Sequence, residues 1–267
     1  MLFCGNNSGV AGQISHSALR TPHLKRLVPL LLDWFATNAR DLPWRRTRDP
    51  YAIWVSEIML QQTQVKTVIP FWNRWMRELP TIEAAAKASP AKIHKLWEGL
   101  GYYTRVRNLQ KAAKQIVNRR RDEFHESPSK NQIGDSQISS LQIQSKCRFP
   151  EDFDDALALP GIGRYTAGAI CSIAFNQPTP ILDGNVIRVL TRIFGIAENP
   201  KEKETNARLW KLAEQLVSHA SRITQTIRGR GREGRTRMIA ARTSTNRSWN
   251  LVPWSARHAI RCAGFVR

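Results

Sequence analysis

The chain has 267 residues, of which 42% are hydrophobic, and carries a formal net charge of +20 at pH 7. This length is enough for one large domain or two small ones with an apolar core. The cationic excess predicts a polyanionic partner, most simply nucleic acid, although such a charge can also serve solubility alone. No run of about 18 apolar residues occurs, which argues against a membrane-spanning helix.

The cysteines lie far apart in the sequence and form no CxxC pair. This spacing argues against a disulfide scaffold and against a zinc site built from neighbouring ligands. Dispersed thiols are typical of a reducing compartment, so we expect a cytoplasmic protein. The cysteines are Cys4, Cys147, Cys171 and Cys262.

Apolar residues at helical spacing predict an all-α fold. One stripe surrounds Pro29, a residue that starts or kinks a helix, and later stripes fall within residues 186–194 and 209–216. Alternation with a period of two, the strand pattern, is nearly absent. The first stripe consists of Leu27, Leu30, Leu31, Trp34 and Phe35.

Two segments interrupt the helical pattern. Residues 125–148 are rich in Ser, Gln and Asn and poor in apolar residues, which predicts a solvated loop. Residues 218–267 contain eleven arginines, no lysine and a single acid, Glu233, and therefore carry +10 of the net charge. Within them, the stretch "RITQTIRGRGREGRTRMIAARTSTN" shows no amphipathic period.

The stretch "LPGIGRYTAGAI", residues 159–170, predicts a tight turn between two helices. Gly161 and Gly163 can adopt positive φ and let another backbone come close. Consecutive N–H groups of such a turn, together with the following helix N-terminus, form a site for an anion such as phosphate. A GxG sequence alone is also typical of an ordinary helix connection.

Two carboxylates stand out in apolar surroundings. Asp183 in "ILDGNVIRVL" directly precedes a helical stripe, where Asp is a good N-cap. Glu57 in "YAIWVSEIMLQQTQV" has apolar neighbours on both sides, and a lone Glu there usually lies on a solvated helix face. Taken singly, each residue has a purely structural interpretation.

Taken together, five stretches resemble one family, the adenine-specific mismatch glycosylases of the MutY family within the endonuclease III, or helix-hairpin-helix, superfamily. The resemblance covers about residues 30–217, and the polar 125–148 segment looks like an insertion. The stretches are "RDLPWR", "SEIMLQQTQV", "LWEGLGYYTRVRNL", "LPGIGRYTAGA" and "ILDGNVIRVL".

The resemblance implies a six-helix barrel with a helix-hairpin-helix at residues 50–198. It also implies a second, iron–sulfur-type helical domain that is incomplete here and formed by residues 24–49 and 199–220. Residues 1–23 are then an N-terminal tail, and residues 221–267 an Arg-rich tail.

The implied activity is hydrolysis of the N-glycosidic bond of adenine mispaired with 8-oxoguanine or guanine in double-stranded DNA, by a monomer. The adenine is flipped out of the duplex. Glu57 is the implied general acid, and Asp183 an ionised carboxylate beside C1′ of the sugar. Strand-cutting relatives carry a Schiff-base lysine at the position of Tyr165, so the tyrosine implies a monofunctional glycosylase.

The resemblance assigns supporting roles to further residues. Trp44 and Leu60 are explained equally well by core packing. The implied adenine pocket comprises Arg40, Trp44, Arg45, Leu60, Tyr165 and Asn185; the residues at the opposite base are Gln62, Leu100 and Tyr102; those at the DNA backbone are Gly161, Gly163 and Thr166.

Two other functions stay open. One is an endonuclease III-like lyase for oxidised pyrimidines, and the other is a non-catalytic DNA-binding fragment that uses the hairpin and the Arg-rich tail.

The resemblance further implies a [4Fe–4S] cluster bound by cysteines spaced C-x6-C-x2-C-x5-C, which the chain as translated does not contain. Residues 245–267 can be back-translated into codons and then read in the frame that begins one nucleotide upstream of each codon. In that frame, permitted codons encode a peptide that contains "MELGALVC" and the cysteine spacing C-x6-C-x2-C. We interpret residues 221–267 as out of frame and expect weak catalysis or none. The alternative is a genuine basic DNA-binding tail.

This interpretation predicts a single-nucleotide shift in the gene between codons 217 and 245. Trp249 has one codon, ending in G, and the codon of Asn250 begins with AA, so the shifted frame must encode glutamate there. Resequencing this interval checks the prediction. A second frame interrupted by stop codons would contradict it.

Overall fold

The computed structural model describes residues 21–126 and 147–230, in which all regular secondary structure is helical and no strand occurs. The predicted all-α class is therefore confirmed. A 3-10 turn at Pro43–Arg45 lies between the first two helices. The helices are α1 (Thr21–Asn38), α2 (Pro50–Met59), α3 (Val65–Glu78), α4 (Ile82–Lys87), α5 (Pro90–Trp97), α6 (Thr104–Glu126), α7 (Phe153–Leu157), α8 (Arg164–Ala174), α9 (Gly184–Phe194) and α10 (Lys203–Arg230).

Five of the ten helices named above begin at a side chain that caps the first N–H groups. Such an oxygen satisfies a donor that has no partner within the helix. Pro50 and Pro90 also occupy the first helical position, where a proline loses no hydrogen bond. The capping residues are Asp49 for α2, Thr81 for α4, Ser89 for α5, Asp152 for α7 and Asp183 for α9.

Helix α2 lies at the centre of the core, and all of residues 51–59 are buried. It packs against α3, α6, α8 and the 3-10 turn. The Trp75 indole donates to the Tyr51 hydroxyl at 2.9 Å, and that hydroxyl donates to the Leu79 carbonyl, also at 2.9 Å. The Trp72 indole donates to the Ala52 carbonyl at 2.9 Å. These bonds fix α2 to α3 along its first turn.

Several helix ends differ from the sequence predictions. Helix α1 begins at Thr21 and runs through Pro29, so the proline does not start it. Leu30 belongs to the predicted stripe but is 59% exposed. Helix α6 extends to Glu126, just inside the predicted loop, and the rest of that loop up to residue 146 lies outside the described residues.

The C-terminal helix continues beyond its predicted end. Helix α10 extends to Arg230, although the sequence there shows no amphipathic period. Ser221 is buried and Ile223 half-buried, which explains how the helix is held at that point. Helix α10 packs against α1, while residues 1–20 and 231–267 lie outside the described part. None of the described helices has the length and apolar character required to cross a bilayer.

Candidate active site

Glu57 is 3% exposed and lies within the apolar helix α2. Among the residues whose burial the structure describes, 25–120, 122 and 147–223, it is the only charged side chain in the buried class. The solvated-face interpretation of Glu57 is therefore wrong. A buried carboxyl group costs free energy that an apolar side chain of similar size would avoid. Such a local violation of the packing rules is typical of a functional position.

Asp183 caps the N-terminus of α9 and is half-buried. Its Oδ1 accepts a hydrogen bond from the Val186 amide at 2.7 Å, so the structural interpretation of Asp183 is correct. The Asn185 amide donates to Oδ2 at 3.4 Å, and Asn185 Oδ1 accepts from Arg188 at 3.2 Å. One carboxylate oxygen is thus held by the helix, and the other lies beside the Asn185 amide.

Helix α8 supports both carboxylate-bearing segments. Helix α2 packs directly against it. The Thr179 hydroxyl donates to the Gly168 carbonyl at 2.9 Å, and a Cβ at Gly168 would lie 2.6 Å from the Pro180 carbonyl oxygen. The segment that leads to Asp183 therefore crosses α8 at a position where only glycine fits.

In the glycine turn between α7 and α8, the predicted positive φ occurs at Gly161 but not at Gly163, whose φ is −93°. Gly161 has φ of +78°, and a Cβ there would lie 2.7 Å from Cβ of Asn108 on α6. Gly163 occupies the N-cap position of α8 and, having no side chain, makes no capping hydrogen bond. The N–H groups of the first α8 turn lack partners within the helix and are not covered by a capping side chain. This end of α8 can accept an anion.

The predicted pocket residues near the 3-10 turn form one corner of the fold. Trp44 is 6% exposed and packs edge-on against Trp72, with 5.9 Å between ring centroids, so it is a core residue. The guanidinium of Arg45 lies 5.7 Å above the Phe35 ring and donates to the Arg40 carbonyl at 2.9 Å. This corner is held against α1.

The remaining predicted residues divide into buried and exposed groups. Leu60 and Tyr165 are half-buried against the core, and Thr166 is buried. Leu100 is buried in the core cluster, whereas Gln62 and Tyr102 are exposed, Tyr102 by 65%. Gln62 and Tyr102 have φ of +56° and +47°, values that side chains other than glycine rarely adopt.

Sequence reasoning missed Arg105, whose guanidinium joins the segments that carry Gln62 and Tyr102. It donates to the carbonyls of Gln61 and Leu100 at 2.5 and 3.1 Å. A signal was present, because Arg105 stands in the first turn of α6. A cation is unfavourable at that end of the helix dipole, so a compensating contact elsewhere was to be expected.

The described cysteines do not fit an iron–sulfur cluster. Cys171 is fully buried, and its Sγ lies 3.8 Å from the Glu151 carbonyl. Burial raises the pKa of both Cys171 and Cys147 to about 11, whereas cluster ligands are thiolates. Within the described ranges, no three His, Cys, Asp or Glu side chains are grouped as metal ligands.

Comparison with known proteins places these features in a family. Residues 55–215 match the family model of the HhH-GPD superfamily base excision DNA repair proteins. The adenine DNA glycosylase of Rattus norvegicus is 42% identical over 198 residues, which are 71% of this chain and 34% of the relative. That of Buchnera aphidicola subsp. Schizaphis graminum is 40% identical over 189 residues, 70% of this chain and 47% of the relative. The chain thus spans between a third and a half of their length.

Solved structures show the same fold. A thermostable thymine-DNA glycosylase is similar with a TM-score of 0.57 and 28% identity, over 73% of this chain and 78% of the other. A trapped endonuclease III–DNA covalent intermediate is similar with a TM-score of 0.53 and 18% identity, over 77% of this chain and 87% of the other. At that identity the second likeness concerns the fold alone.

The glycine turn between α7 and α8 and the family match together define the class of protein. The chain belongs to the HhH-GPD superfamily of base excision DNA repair proteins. Within that superfamily it is similar to adenine DNA glycosylases. The helix-hairpin-helix glycosylase fold expected from the sequence is confirmed, whereas the division into a barrel and a second helical domain stays a prediction.

The geometry of the turn predicts different outcomes for its two glycines. Gly161→Ala must adopt positive φ and displace Asn108, so we expect it to lose at least about 1 kcal/mol of unfolding free energy. Gly163→Ala has φ of −93° and open space around its Cβ, so its loss of stability should be smaller, while its methyl group obstructs a bound phosphate. Urea denaturation and DNA binding at several salt concentrations measure both effects. Equal stability of the two variants would contradict this account.

Proposed function

We propose that this protein is an adenine DNA glycosylase that hydrolyses the N-glycosidic bond of adenine mispaired with 8-oxoguanine or guanine in double-stranded DNA, at a reduced rate in the chain as translated. The observation that carries the proposal is that Glu57 is buried in a helix that packs against α8, while the segment that leads to Asp183 contacts the same helix at Gly168. The similarity to adenine DNA glycosylases supports it.

Glu57 acts as the general acid in this proposal. It donates a proton to the flipped adenine, so that the base takes the electron pair of the breaking N–C1′ bond and leaves neutral. Its position inside α2 excludes bulk water from the carboxyl group and holds the side chain in a rigid helix. Helix α2 is itself fixed by the Tyr51 and Trp72 hydrogen bonds.

Asp183 stabilises the positive charge that develops at C1′ as the base departs. The N-cap bond to Val186 holds its carboxylate in one orientation, so little reorganisation is needed during the reaction. A water molecule then adds its oxygen to C1′ and releases a proton. The products are free adenine and an abasic sugar in an intact strand.

Tyr165 sets the outcome after base loss. A phenol cannot form the Schiff base that a lysine amine forms with the opened sugar, so the proposed enzyme does not cut the strand.

The uncapped start of α8 binds a DNA phosphate without reading the base sequence. Gln62, Leu100 and Tyr102 act at the base opposite the adenine, and the protein works as a monomer.

The first test of this function is the variant Glu57→Gln, which keeps the size of the side chain and removes the transferable proton. We expect single-turnover adenine release from duplexes with adenine opposite 8-oxoguanine to fall by about 10²- to 10⁴-fold. Glu78→Gln on the exposed side of α3 is the control and should release adenine normally. Unaltered release by Glu57→Gln would refute the role of Glu57.

The same assay separates the other functions. A borohydride-trapped covalent adduct with DNA would identify a lyase instead. If the native chain releases no adenine and binds matched and mismatched duplexes equally, it is a DNA-binding protein without this activity.

A second test concerns the charge on Asp183. Asparagine caps helices as well as aspartate does, so Asp183→Asn should keep the thermal stability and lose only the negative charge beside the sugar. We expect adenine release to fall by about 10²- to 10³-fold. Asp152→Asn, which alters another helix cap, is the matched control and should leave the rate unchanged. A similar effect of both substitutions would show that Asp183 serves only as a cap.

A further inference from the structure

Arg105 bridges three separate segments of the chain. Its Nη1 donates to the carbonyls of Ile58 and Met59, at 3.1 and 3.0 Å, and to the Gln61 carbonyl at 2.5 Å. Its Nη2 donates to the carbonyls of Leu100 and Gly101, at 3.1 and 3.3 Å. Both nitrogens also lie 3.3 Å from the Thr63 hydroxyl. One guanidinium therefore joins the end of α2, residues 60–63 and residues 100–102.

A guanidinium suits this position better than the ammonium group of a lysine. The last carbonyls of α2 lack partners within the helix and carry its negative dipole end, so they attract a cation. Arginine supplies a rigid fork of donors that can reach several carbonyls at once, whereas lysine supplies a single point charge. The rings of Trp97 and Tyr102 lie 5.5 and 5.4 Å from the guanidinium carbon. Burial lowers the pKa of Arg105, as expected for a desolvated cation.

The two loops that Arg105 joins are both conformationally strained. In the described residues, positive φ occurs at three residues other than glycine, and two of them are Gln62 and Tyr102. Such conformations persist where the surrounding structure imposes them. Both side chains are exposed, while carbonyls in their loops, those of Gln61 and Gly101, are held by Arg105.

We propose that Arg105 is a positioning residue that fixes Gln62 and Tyr102 relative to each other and to the end of α2, and thereby sets discrimination of the base opposite the target adenine. This inference rests on the proposed function, which places both side chains at that base. Arg105 acts through its loops and does not itself contact DNA. The bonds to Ile58 and Met59 place the loops on the helix that carries Glu57, so the opposite base and the target adenine are held by one framework.

The test compares the affinity of the full chain for two duplexes that differ at the opposite base. Each contains an uncleavable 2′-fluoro-deoxyadenosine, placed opposite 8-oxoguanine in one and opposite thymine in the other. The ratio of the two Kd values measures discrimination, independently of catalysis and of general phosphate binding. For Arg105→Lys we expect this ratio to fall by roughly tenfold to 100-fold. Hydrogen exchange of the amides in residues 60–63 and 100–102 should become faster in parallel.

Arg107→Lys provides a matched control on the same helix. Arg107 is exposed, and among the described residues its guanidinium donates only to the hydroxyl of the neighbouring Thr104, at 3.2 Å. Its substitution can weaken binding to both duplexes equally, but it should leave the ratio unchanged. Thr63→Val removes one shared acceptor without altering the guanidinium. It should give a smaller loss of discrimination, and it keeps the test decisive if Arg105→Lys fails to fold.

The outcomes separate this inference from the proposed function. If the native chain discriminates and both Arg105→Lys and Thr63→Val keep the full ratio, the positioning role is refuted and the function stands. If the folded native chain binds both duplexes equally, the proposed function fails and this inference fails with it. A loss of the ratio in Arg105→Lys, with the ratio retained in Arg107→Lys, supports the role.

Discussion

The packing of α2 against α8 is the contact on which the rest of the site depends. Helix α2 is apolar on every side apart from Ser56 and Glu57, so it is stable only when neighbours surround it completely. Helix α8 can come close because its middle consists of the small residues Ala167, Gly168 and Ala169. The same glycine receives the segment that leads to Asp183. A single helix of small residues therefore places two carboxylate-bearing segments around it.

This arrangement explains why a charged group is tolerated in the core. Each apolar side chain buried from α2 contributes on the order of 1.5–3 kcal/mol, so the helix has enough burial to offset one carboxyl group. The N-cap at Asp49 and the indole donors of α3 add directional bonds that hold the helix in one register. Reactive groups are most useful on such elements, because their geometry does not relax when the charge changes.

The fold was largely predictable from the sequence, but the surroundings of the site residues were not. Caps such as Asp183, the glycine turn and the apolar stripe of α10 are local signals, so their structures followed from a few neighbouring residues. The burial of Glu57 could not be deduced this way, because an apolar helix without a polar face gives no period that shows which residues face inward. Arg105 was missed for another reason: most of its partners, such as Ile58 and Gln61, lie more than 40 residues away along the chain. The extension of α10 to Arg230 was missed because its last turns show no amphipathic period.

The contact between Gly161 and Asn108 has a mechanical consequence. Asn108 stands three residues after Arg105 on α6, a separation of about 4.5 Å along the helix axis. The glycine turn that can accept an anion and the loops of Gln62 and Tyr102 therefore pack against the same stretch of α6. Because that helix is rigid, the distance between the glycine turn and these loops cannot change to suit a ligand. Under the proposed function, a DNA duplex that contacts both ends has to bend or unstack to fit this fixed distance, and the deformability of the duplex becomes part of what is recognised.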